Sequence, residues 1–127
     1  MKTIFSFTFS FLLLFLSAQD INTEIASLQS MIDSESYMQA LGFADKLIAN
    51  KVKEGHQEQA SKVYLLRGIA KYKLELETDA IVDLKIAHSF DNSNYITYYY
   101  ISDIYYNMSK YSSALESIII ESSWRSL

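Results

Sequence analysis

Few side chains in this sequence are of a type that does chemistry. Its 127 residues contain no cysteine and two histidines, His56 and His88. The missing thiols exclude a disulfide framework, a thiolate nucleophile and any Cys-bound zinc or iron–sulfur centre. His88, three residues before Asp91, reads as a favourable charge at the C-terminal end of a helix, not as a base. Glu75, Glu77 and Asp79 read as a solvated helix face, and the chain has no HExxH pair and no Gly-rich phosphate loop. These residues predict no enzyme, no cofactor and no metal. Asn107-Met108-Ser109 has the form of a glycosylation sequon, a three-residue match that arises often by chance. Tyrosine stands out instead: seven of the ten fall between Tyr95 and Tyr111. Aromatic faces at that density can stack on the side chains of a protein partner or on a sugar.

The elements that must position them are helices. A chain with no proline and only three glycines lacks the residues that the tight turns of a β-sandwich draw on. Apolar periodicity and breakers predict helices at about 21–33, 37–51, 57–74, 78–90, 94–108 and 111–124. Turn or capping residues separate them at Asp33-Ser34-Glu35-Ser36, at Asp91-Asn92-Ser93-Asn94 and at Asn107-Met108-Ser109. Tyr95 to Ile101 has strand propensity, but propensity is a weak prior against the register of a repeat. A net charge of −4 gives no basic face for a nucleic acid.

The repeat emerges when the chain is slid along itself by 34 residues. Tyr98 then falls on Tyr64, Ser102 on Gly68, Tyr106 on Tyr72, Ala114 on Ala80 and Ile118 on Leu84. A weaker upstream copy has Tyr37, Ala40, Leu41 and Ala44 matching Tyr111, Ala114, Leu115 and Ile118, with about six extra residues in the connector 51–57. The run Tyr64, Arg67, Gly68, Ala70, Tyr72, Leu74, followed by Ala80, Leu84, Ala87, Asp91 and Asn94, resembles the tetratricopeptide repeat. The resemblance spans nearly the whole chain after residue 18. It departs from the family at Glu75, where the turn glycine belongs, at Asn92, where a proline belongs, and at Glu121, where a small residue belongs. It implies an all-α fold, a helix–turn–helix solenoid of about three repeats at about 21–54, 61–94 and 95–127.

Repeats of this kind bind other proteins, and the resemblance implies a groove lined by successive first helices. Its expected lining is Leu65, Ile69 and Tyr72 from the second repeat, with Tyr99, Tyr100, Asp103, Tyr106 and Asn107 from the third. Tyr98, Tyr105 and Tyr111 fall where the family packs aromatics between helices, which makes them expected core. Members that clamp the C-termini of chaperones use lysines and asparagines; Lys62 and Lys73 fit that pattern, but Leu66 and Tyr100 do not. The predicted role is a scaffold or adaptor that binds a segment of a protein or peptide partner. The competing readings are the N-terminal sensory piece of a longer signalling protein and a small-ligand or glycan binder built on Tyr99, Tyr100 and Tyr106.

Residues 1–18 carry an address. Lys2 precedes an uncharged run from Ile4 to Leu16, and Ala18 offers a small residue for cleavage, as in a secretory signal peptide. That run is too short for a stable membrane anchor, which needs about 20 apolar residues. Removing Lys2 leaves ten basic against fifteen acidic residues, a charge of −5 for the domain 19–127, expected in the periplasm or outside the cell. At the other end Ile119, Ile120, Trp124 and Leu127 spread apolar surface where a terminal repeat needs a polar face, and predict a covering partner such as a second copy.

Overall fold

The computed structural model describes residues 21–52 and 55–125. The expected leader lies outside them, as does Leu127. The described residues form five helices and no strand: α1 (residues 21–33), α2 (Tyr37–Asn50), α3 (Gln57–Lys73), α4 (Glu77–Phe90) and α5 (Tyr95–Arg125). The all-α expectation holds, and so does helix over Tyr95 to Ile101, where strand propensity competes.

Two helical hairpins, α1–α2 and α3–α4, repeat at an offset of 40 residues. In each, the turn is closed by one glutamate in the left-handed region, Glu35 at φ 60° and Glu75 at φ 62°. The hydrogen bonds are equivalent. Ser36 N donates to Met31 O (2.8 Å) and Leu76 N to Lys71 O (2.9 Å), while Glu35 N and Glu75 N reach Ile32 O and Tyr72 O. This is the helix-ending arrangement that glycine normally serves. A glutamate in place of glycine is therefore borne by backbone strain, since a side chain in this region costs about 1–2 kcal/mol. Burial of the hairpin seam offsets it: Ala40 and Ala80, 40 residues apart, are both fully buried.

Close helix contact explains the small residues. A Cβ on Gly68 would lie 3.0 Å from Leu84 Cγ and 3.3 Å from Ala80 O, so only glycine lets α3 and α4 approach this closely. Forty residues earlier the same two positions hold Leu28 and Ala44, again fully buried. The large and the small residue have exchanged helices.

α3 is the central helix, touching α2, α4 and α5, and residues almost all round it are buried. An ion cluster crosses its middle. Asp83 is 1% exposed and accepts Arg67 Nε and Nη2, each at 2.8 Å. Lys71 Nζ lies 2.9 Å from the same carboxylate, and Arg67 Nη1 reaches Asp45 of α2 at 2.8 Å. Arg67 also stacks over the Tyr64 ring at 5.2 Å. Its carboxylate partners, Asp83 first, hold its pKa above the ordinary arginine value.

The last unit departs from expectation. α5 runs without interruption for 31 residues, about 46 Å at 1.5 Å per residue, so the turn expected at Asn107-Met108-Ser109 is not made. A reversal would put Ser109, the counterpart of Glu75, in the left-handed region, with Glu121 taking the place of buried Ala87 in the seam. The helix continues instead, and Tyr111, Leu115 and Ile118 stay exposed along it. Tyr98, Tyr105 and Tyr111, expected as core, are consequently 54%, 48% and 72% exposed, because no folded-back helix covers them.

Candidate functional site

A concavity of about 740 Å³ opens where the end of α3 and the α3–α4 turn face α5. Tyr72 stands at its centre. Its hydroxyl donates to Asp103 Oδ2 at 2.5 Å and accepts from Asn107 Nδ2 at 2.6 Å. The helical spacing of Asp103 and Asn107 puts both on one face of α5, one turn apart. Tyr100 meets the Tyr72 ring edge-on at 6.3 Å, and Tyr99 meets Tyr100 edge-on at 5.4 Å. Three aromatic rings and two polar side chains are thus in contact with one another, and Tyr111 also lines the concavity.

Five of the eight residues expected to bind a partner come together here. Leu65 and Ile69 do not: they are buried in the hydrophobic core, because α3 is covered by neighbours on several sides and has no free wall at those positions. Tyr106 is 67% exposed but lies outside the concavity. The α3–α4 turn adds Glu75 and the first residue of α4 adds Glu77 to the rim, beside Lys73; both glutamates read from the sequence as solvated surface. With Asp103 that makes three carboxylates against one ammonium. For Glu75 the signal in the sequence is the missing turn glycine, since the residue that closes the turn also lines the concavity.

Asp103 accepts the Tyr72 proton's hydrogen bond, so ionising the phenol would break that bond and set two negative charges together. The Tyr72 pKa is raised for this reason first, and further by burial. Between the ordinary tyrosine pKa of about 10 and this raised value the folded protein holds a proton that the unfolded chain has lost, so stability falls as pH rises through that window. An alkaline titration followed at the tyrosinate absorbance should show one late phenol that Tyr72→Phe removes and Asp103→Asn moves earlier. A titration curve unchanged by both would contradict the hydrogen-bond assignment.

His88 sits in the last turn of α4 as expected, and its Nε2 is 2.9 Å from the Tyr98 hydroxyl. Among the described residues, no three histidine, aspartate or glutamate side chains converge as a metal site would require. No described helix is long and apolar enough to cross a membrane.

No family model, curated protein or solved structure matches this chain.

Proposed function

We propose that this protein is an exported interaction module, a solenoid of tetratricopeptide-like repeats with no chemistry of its own, that binds a basic segment of a protein partner in the Tyr72 concavity. The observation that carries this reading is the fixed set of tyrosine rings around Tyr72, Asp103 and Asn107. Rings held edge to edge offer large contact area at little cost in conformational entropy. The excess of carboxylate at the rim favours lysine or arginine, whose cation is also attracted to a tyrosine face. Export rests on the form of residues 1–18, and the repeat assignment on the register described above.

A fluorescently labelled helical peptide of lysine and leucine tests this by anisotropy, beside a counterpart with glutamate for lysine. The lysine peptide is expected to bind and to weaken about tenfold, or about 1.4 kcal/mol, with Tyr99→Ala or Asp103→Asn, while Tyr106→Ala, outside the concavity, leaves it unchanged. Equal binding of both peptides, or indifference to the first two substitutions, would remove the reading.

A further inference from the structure

We infer that two copies of this chain associate through the second half of α5, side by side and antiparallel. The first half of the helix docks on the body through Thr97, Ile101 and Ile104; Thr97 and Ile104 are fully buried and Ile101 packs on the core. Their 4–3 spacing continues without a break through Met108, Tyr111, Leu115 and Ile118 to Ser122. A stripe with this period stays on one side of a helix and is the seam of a two-helix packing. Past the body nothing covers it: every described side chain from Met108 to Ile119 is exposed, Tyr111 by 72%, Leu115 by 59% and Ile118 by 63%.

The occupant follows from geometry and area. The body fills the seam side of α5 from Thr97 to Ile104, so a parallel copy in register would have to put its own body in the same place. An antiparallel copy places each body beyond the other's helix end. Matching the seam layers then sets Leu115 against Ile118 of the second copy, and Tyr111 against its Ser122. Shifting by one layer the other way would drive the end of one α5 into the other copy's body. The seam carries no charge between Met108 and Ser122, so two identical faces meet without like charges. Complete coverage of Met108, Tyr111, Leu115 and Ile118 on the seam with Ile119 at its edge would bury at most about 1,000 Å² for the pair, at the lower bound for a specific interface. The dimer is accordingly weak and concentration-dependent. It stands on α5, and Tyr111 is shared with the wall of the concavity, so the second copy and a bound peptide compete for that side chain.

Sedimentation equilibrium of the protein purified from expression of the full chain, over about 10–300 μM, is expected to show monomers giving way to dimers. Leu115→Glu and Ile118→Glu are each expected to weaken association at least about tenfold, with helicity unchanged, and with melting temperature unchanged at concentrations where the unsubstituted protein is monomeric. The native absence of cysteine allows the register to be read directly. Leu115→Cys mixed with Ile118→Cys should oxidise to a covalent dimer, whereas Leu115→Cys alone should not, its two sulfurs being held too far apart. A monomer across the whole range, or a dimer indifferent to both glutamates, overturns the proposal. Self-linking of Leu115→Cys as strong as that of the mixed pair overturns the antiparallel arrangement.

Discussion

Substitution Arg67→Met is expected to destabilise the fold by about 3–5 kcal/mol, the range for stripping one partner from a buried ion pair. The size comes from what stays behind. Asp83 is buried in α4 and keeps only Lys71, whose single ammonium cannot replace the two-pronged contact of the guanidinium. A domain of this size has only about 5–15 kcal/mol in total, so urea unfolding followed by helical circular dichroism should lose much of its native baseline. Asp45→Ala is the internal control. Asp45 also pairs with Arg67, but its side chain is 56% exposed, and an exposed partner is worth about 0–1 kcal/mol. Near-equal losses for the two variants would mean that Asp83 is better hydrated than the structure shows.

The second large effect concerns the α3–α4 crossing. Leu84→Ala should cost about 2–5 kcal/mol, because Leu84 is fully buried and its removal leaves a cavity beside Gly68. Gly68→Leu alone should also be costly, since even a Cβ there meets Leu84 at 3.0 Å. The two together should recover most of the loss. They recreate at positions 68 and 84 the arrangement the chain already uses at Leu28 and Ala44, 40 residues upstream. Thermal unfolding of the singles and the double forms a cycle, and a coupling energy of about 2 kcal/mol or more is expected for residues in such direct contact. Additive losses would show that the two hairpins are not interchangeable at this layer.

Much of the hairpin body was legible in the sequence because local patterns and tertiary needs agree there. Ala80 recurs at repeat spacing and Gly68 with Leu84 form a small–large pair, and the structure shows α3 and α4 in close contact at these residues. Two errors have one root. The repeat register predicted a turn at 107–109 and core positions for Tyr98, Tyr105 and Tyr111, yet register describes where a helix would fold back, not whether burial offsets the cost of the reversal. Glu35 and Glu75 take the left-handed region with fully buried seams behind them, whereas α5 runs straight through Ser109. The groove was half legible for a related reason. Tyr72, Tyr99, Tyr100, Asp103 and Asn107 line one concavity, while Leu65 and Ile69 are lost to the core because α3 has neighbours on several sides.

The sequence by itself determined the helical class, the two hairpins and the set of polar and aromatic residues from which a partner site can be drawn, since all of these follow from period and residue type along one chain. Only the tertiary structure decided which tyrosines face a concavity, that Asp83 is the buried anchor of Arg67, and that α5 extends straight past the body with its seam uncovered. Those outcomes depend on which side chains are brought together by helices far apart in sequence, a relation that no linear pattern contains.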